Sequence, residues 1–154
     1  MNSVLFVCSA NQCRSPMAEA LFKALLNERG EEDEWKIASA GVWAAPGYPA
    51  TDNARVIIEE RGLDISAHLS QPISRDLLGE YHLVLVMENA HKETLQANYP
   101  EFADRIVLFR NLAGDDTDFD DPVGGSLDRY RGAADEIQHI LTSGFGQIVD
   151  RGSK

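Results

Sequence analysis

Cysteine is scarce in this chain: Cys8 and Cys13 are the only two, and both lie near its start. One pair cannot staple 154 residues into a disulfide framework, which excludes the small disulfide-built secreted folds and favours a reducing, cytoplasmic setting. Long apolar runs are missing too. Nowhere do about 18 consecutive apolar residues occur, so no segment reads as a membrane span, and Met1 to Val7 is too short and too lightly charged for a signal peptide. Cations are few: 14 Lys and Arg stand against 25 Asp and Glu, for a net charge of -11 and a pI near 4.7. That balance excludes the clustered Lys and Arg with which proteins hold nucleic-acid backbones. Repeats, low-complexity tracts and long linkers are absent. With 44% hydrophobic residues there is enough apolar material for one core. The expectation is a soluble, cytoplasmic, monomeric single domain over 1–150 with a tail at 151–154, and neither a nucleic-acid nor a membrane partner.

What is present alternates strand with helix. Val4 to Val7, Lys36 to Ala40, Leu83 to Met87 and Ile106 to Phe109 read as strands. Between them, Met17 to Arg29 and Thr51 to Arg61 carry apolar residues at helical spacing and are closed by Gly30 and Gly62. Ser74 to Leu78 reads as one helical turn, Ala90 to Asn98 as a helix, and Ser126 to Thr142 as a long terminal helix. Gly114 to Gly125 is the loosest segment. This order predicts an α/β fold with a parallel sheet covered on both faces, in which ligands sit beyond the carboxyl ends of the strands.

The loop after the first strand, Cys8-Ser9-Ala10-Asn11-Gln12-Cys13-Arg14-Ser15, lies where such a site belongs. A thiol and a guanidinium six positions apart, on a loop that ends at a helix N-terminus, can face one tetrahedral anion while successive N–H groups converge on its oxygens. Ser15 is the expected N-cap and Pro16 the first helical residue. A helix N-terminus and a nearby cation favour thiolate over thiol, and Cys8 has both within reach. Arg14 can grip two phosphoryl oxygens through its planar fork, and the Ser15 hydroxyl can donate to the thiolate. A buried structural cysteine is the simpler alternative.

The loop, together with Ser39-Ala40-Gly41, Asp64-Ile65-Ser66-Ala67-His68, Leu83 to Met87 and Asp121-Pro122-Val123-Gly124-Gly125, resembles the low-molecular-weight protein tyrosine phosphatase family across nearly the whole chain. The resemblance implies a three-layer, Rossmann-like sandwich on a four-stranded parallel sheet. It also implies no metal, no cofactor and a cysteinyl-phosphate intermediate. Cys8 would be the nucleophile, Arg14 the phosphate clamp and Asp121 the acid that protonates the leaving oxygen and then activates water. Pro122 biases Asp121 toward an extended backbone. Asp115, Asp116, Asp118 and Asp120 read as a solvated acidic loop, with Asp120 as fallback acid; the ligand spacing of a calcium loop is absent. Ser39, His68 and Asn11 match positions that support the phosphate loop by hydrogen bonding, and Glu88 matches one that orients the arginine. His68 reads equally well as a surface residue. His82, His91 and His139 receive no role. Asn11 suits a left-handed turn. Ala10 replaces a usual glycine, which matters only where φ is positive. Cys13 either fills space behind the loop or, as the family suggests, traps oxidised Cys8 as a disulfide. Arsenate reductases of this fold relay oxidation to further cysteines, which are absent here.

The substrate is less fixed. Tyrosine-specific members carry an aliphatic residue at Gln12 and aromatics after the Asp-Pro pair, where this chain has Val123. Trp43 or Tyr48 can supply the missing ring or simply cover the core. Asp121 to Asp128 and Gln71 to Ser74 also look like the bacterial protein-arginine phosphatase branch, whose members usually have Thr at Gln12. The expected partners are a phosphorylated protein or peptide and, as product-like ligands, inorganic phosphate or other oxyanions. Phosphotyrosine hydrolysis is the leading reading and phosphoarginine its alternative. A phosphoprotein-binding module that hydrolyses nothing and a Cys8–Cys13 redox switch are the readings from other classes.

Overall fold

The first strand, Asn2–Cys8 (β1), is buried from Ser3 onward and sorts its side chains to two faces. Val4, Phe6 and Cys8 join a large apolar cluster, whereas Leu5 and Val7 join a smaller one on the opposite face, as the two-residue period of a strand requires. In the computed structural model, which describes residues 1–153, β1 is flanked by Trp35–Gly41 (β2) and Leu83–Val86 (β3). Ile106–Leu108 (β4) closes the sheet in the order β2-β1-β3-β4, and every pairing is parallel.

A parallel sheet needs cover on both faces. The larger cluster takes Phe22 and Leu26 from Arg14–Arg29 (α1) and Ile57 and Ile58 from Asp52–Glu60 (α2). The smaller takes Leu78 from Arg75–Gly79 (α3) and Leu95 from Asn89–Asn98 (α4). Leu127–Ser143 (α5) and Phe145–Gly152 (α6) complete the first face with Ile137, Ile140, Leu141 and Ile148. The result is the three-layer sandwich that the family resemblance implies. Phe22 meets Phe6 edge-on at 5.8 Å and Trp35 at 5.2 Å, a geometry that adds to plain area burial. Because β1 is followed by α1 on one face and β3 by α4 on the other, the chain parts at the carboxyl ends of these two neighbours. That crevice is where a ligand finds N–H groups from both sides.

Three details depart from expectation. The last helix is not Ser126 to Thr142: Gly144 ends α5 and a further helix, α6, follows. Gly144 is required there because a Cβ would lie 2.8 Å from Leu112 Cβ and 2.9 Å from the Ile140 carbonyl. Nor does a tail begin at 151, since α6 runs through buried Gly152, whose Cβ would meet the Trp35 ring at 2.8 Å. Finally, Gly114 to Gly125 is stitched down: Arg110 holds Thr117 and the Asp118 carbonyl as well as Glu136, and Phe119 is buried, its N–H on the Met87 carbonyl. Among the described residues no helix is long and apolar enough to cross a membrane.

If α6 belongs to the cooperative core, Ile148→Ala should cost about 2–5 kcal/mol in urea unfolding. A loss under about 1 kcal/mol would show that the helix merely decorates the sheet.

Candidate active site

The loop from Cys8 to Ser15 turns its carbonyls outward. Val42 N–H donates to the Cys8 carbonyl at 3.0 Å, Trp43 N–H to Ser9 at 2.9 Å, Thr51 N–H to Gln12 at 2.8 Å and Met17 N–H to Cys13 at 3.1 Å. His68 Nε2 lies 2.7 Å from the Asn11 carbonyl; since a carbonyl only accepts, the proton is on Nε2. None of the N–H groups from Ser9 to Ser15 has an acceptor among the described residues. With these carbonyls tied away, the loop keeps its donors free, and the last two of them, Arg14 and Ser15, are the free first-turn N–H groups of α1.

Asn11 makes the turn possible. It is the only non-glycine with positive φ among the described residues, at 58°, a conformation that asparagine tolerates better than most. Ala10 does not share it, so the missing glycine there is harmless. Asn11 Oδ1 accepts from Gln71 N–H at 3.0 Å and its Nδ2 donates to Ser15 Oγ at 2.8 Å. Ser15 is thereby left with its own hydrogen for Cys8 Sγ, 2.9 Å away, the polarity that supports a thiolate. Helix α1 begins two residues earlier than expected, at Arg14 with Cys13 as N-cap, and Ser15 serves the sulfur instead of capping.

Arg14 is the largest fully buried side chain, 1% exposed. Its Nη1 donates to the Phe119 carbonyl at 2.6 Å, and its Nη2 is 2.6 Å from Glu88 and 3.6 Å from Asp121. Glu88 thus holds the guanidinium, and Asp121 is the carboxylate of the acidic loop that forms an ion pair with it. Its Oδ1 accepts from Val123 N–H at 3.0 Å, a turn that keeps the carboxylate beside Arg14 at the mouth. Asp118 is no free surface acid: it receives both the N–H and the Nδ2 of Asn89 at the start of α4.

Ser39 corrects the sequence reading. Its hydroxyl donates not to the loop but to Glu19 on α1 at 2.6 Å, because a carboxylate in reach is the stronger acceptor. The β2 end supports the loop through Gly41, which sequence reasoning left without a role: a Cβ there would lie 2.6 Å from the Ser9 carbonyl and 2.9 Å from Asn11 N. His91 was also missed. It is 0% exposed and sits 2.8 Å from Ser9 Oγ; its only signal in the sequence is its place one turn into the helix after β3. Cys13 is buried, and burial first, then the Asp121 charge and Cys8, push its thiol up to about 12. Around the mouth, Trp43 is 60% exposed, Tyr48 55% and Val123 54%. Gln12 Nε2 donates to the Pro49 carbonyl at 3.0 Å. A groove of about 850 Å³ lies elsewhere, between α1 and residues 61–68, and touches the site through Pro16 and His68.

The model of the low molecular weight phosphotyrosine protein phosphatases matches residues 3–152. The chain belongs to that family. It is 35% identical to a protein-arginine-phosphatase of Bacillus subtilis over 139 residues, 90% of this chain and 91% of that one. The crystal structure of a low molecular weight protein tyrosine phosphatase from T. tengcongensis matches at TM-score 0.89 and 37% identity, covering 96% of this chain and 99% of that chain. A mutant of the YwlE arginine phosphatase with a phosphorylated active-site serine matches at TM-score 0.89 and 32% identity, covering 97% of this chain and 96% of that chain. Members of the family are cysteine-dependent phosphatases, and Cys8 lies in the loop where that chemistry belongs.

Gly41→Ala places a methyl inside the loop backbone and should lower kcat/KM on an aryl phosphate about 100-fold, measured beside the unfolding midpoint. Unchanged turnover would mean that the close approach at Gly41 does not shape the cradle.

Proposed function

We propose that the protein hydrolyses phosphotyrosine in proteins through a phosphate carried on Cys8. The observation that carries this reading is the run of N–H groups from Ser9 to Ser15 left without a protein acceptor beside the Cys8 thiol, with the Arg14 guanidinium fixed by Phe119 and Glu88. The phosphoryl group enters with its oxygens on the N–H groups and the guanidinium, contacts that gain strength as charge shifts in the transition state. Cys8 Sγ attacks phosphorus, the P–O bond to tyrosine breaks, and the Asp121 carboxyl gives its proton to the departing oxygen. A water then attacks the cysteinyl phosphate, Asp121 takes that water's proton, the S–P bond breaks and inorganic phosphate leaves. The phosphorylated active-site serine of the YwlE mutant supports a phosphoryl group carried on a side chain of the protein itself. A binding module would use the cradle but leave Asp121 idle, and a redox switch would leave Arg14 without a task.

The second reading, phosphoarginine, is favoured by a specific observation: the mouth has a polar wall at Gln12, held on the Pro49 carbonyl, and no aromatic at Val123. The leaving atom would then be nitrogen, with Asp121 as its proton donor and as the charge that attracts a guanidinium.

Cys8→Ser should abolish turnover of p-nitrophenyl phosphate, and EDTA should leave the wild type active; retained activity in the variant, or loss with EDTA, contradicts the reading. Asp121→Asn should lower kcat by about 10² to 10³ on a phosphotyrosine peptide, and less on p-nitrophenyl phosphate, whose leaving group needs less protonation. Comparing phosphotyrosine with phosphoarginine peptides, for the wild type and Gln12→Thr, decides the substrate: the leading reading predicts a wild-type preference for phosphotyrosine, and the reverse ranking establishes the alternative.

The same reading makes Cys13 a redox partner. A peroxide converts the Cys8 thiolate to a sulfenic acid, and attack by the Cys13 thiolate then expels hydroxide and closes a disulfide. Only the thiolate attacks, so with Cys13 at about 12 closure should accelerate steadily from pH 7 to 10, and dithiothreitol should restore activity. Cys13→Ser should inactivate irreversibly; equal recovery in both proteins would leave Cys13 a packing residue.

A further inference from the structure

We propose that His91 is a positioning residue for this hydrolysis, holding Ser9 of the cradle and the Glu88 that orients Arg14 through the two nitrogens of one neutral ring. The proposal rests on the phosphatase reading. Nδ1 accepts from the Glu88 N–H at 3.1 Å. That bond requires a lone pair on Nδ1, so the ring's single proton is on Nε2, which donates to Ser9 Oγ at 2.8 Å. Ser9 therefore keeps its own hydroxyl hydrogen for an acceptor outside the pair, next to Cys8. Trp43 braces the arrangement from the other side: its ring lies 5.6 Å from the imidazole and its N–H holds the Ser9 carbonyl at 2.9 Å. Glu88 places its carboxylate 2.6 Å from Arg14 Nη2. One buried ring thus sets both the start of the cradle and the partner of the clamp, and a tilt of the imidazole moves both.

The arrangement works only while the ring is neutral. A second proton would put an N–H on Nδ1 against the Glu88 N–H, donor against donor in a fully buried ring. The charged and titratable groups that face the ring are Glu88 from its own helix start, Arg14 from α1, and Asp118 and Asp121 from the acidic loop; Ser9 and Trp43 are uncharged. Burial is the largest influence and lowers the His91 value below the ordinary 6.5. Glu88 opposes it, Arg14 adds to it, and the two aspartates oppose it more weakly. A histidine held below its free value stabilises the fold fully above pH 6.5, and that contribution declines as pH falls toward the folded value. Catalysis should therefore acquire an acid limb that belongs to His91.

The test compares His91→Asn, His91→Gln, Ser9→Ala and the Ser9→Ala/His91→Asn double variant with the full-length wild type, by kcat and KM on p-nitrophenyl phosphate from pH 4.5 to 8. Imidazole 15N spectra report the tautomer, and urea unfolding reports the fold. Asparagine can accept from the Glu88 N–H but cannot reach Ser9; glutamine can reach Ser9. The expected results are an Nε2–H ring and a kcat about 10- to 100-fold lower in His91→Asn with KM little changed. The acid limb should shift in that variant, glutamine should recover part of kcat, and the double variant should be no worse than the poorer single one. Wild-type kcat and an unchanged acid limb in a folded His91→Asn, additive losses in the double variant, or an Nδ1–H tautomer would each overturn the proposal. A wild type that hydrolyses nothing would instead overturn the phosphatase reading, and the 15N spectrum would still decide the tautomer.

Discussion

Seven consecutive amide N–H groups, Ser9 to Ser15, have no acceptor of their own within the described protein, and the surrounding structure serves to keep it so. A donor left unsatisfied away from water costs about 1–3 kcal/mol, so such a run persists only where the neighbouring carbonyls are held elsewhere. Here five of them are: Val42, Trp43, His68, Thr51 and Met17 each take one. Asn11 accepts a left-handed backbone, and Gly41 lets the end of β2 come within side-chain distance of the loop.

The charge pattern follows the same logic. A chain of net charge -11 repels phosphoproteins at long range, so attraction has to be local and sheltered from screening. Arg14 is buried and its pose is fixed at one nitrogen by the Phe119 carbonyl and at the other by Glu88. Phe119 is itself packed against Phe109, which carries the position of the guanidinium back into the core. The acidic loop is anchored by the same residue and by Arg110, so Asp121 and Arg14 share one support. The pose of Arg14 is thus set by contacts within the protein itself.

Much of this was legible in the sequence. The cradle was, because Cys8, Arg14 and a helix start follow one another along seven residues, and so was the parallel sheet, because apolar runs alternate with helical spacing. Asn11 and Ser15 were readable from the backbone and sulfur chemistry that such a loop needs. What escaped was long-range. His91 reaches Ser9 across 82 positions, and nothing in its neighbours announces that the helix after β3 turns this ring toward β1. Ser39 was placed by its motif, but its hydroxyl answers to Glu19, a helix residue whose direction only packing decides. Helix α6 escaped because the close approaches that fix its ends, Gly144 to Leu112 and Gly152 to Trp35, are tertiary contacts.

The most direct measurement of the cradle is amide NMR of the 15N-labelled protein titrated with inorganic phosphate or vanadate. An anion seated on the loop should shift the amide protons of Ser9 to Ser15 downfield together along one saturable curve, with the Arg14 guanidinium following the same curve. Amides that stay still while the anion binds elsewhere, or that shift singly with different affinities, would contradict a converging set of donors.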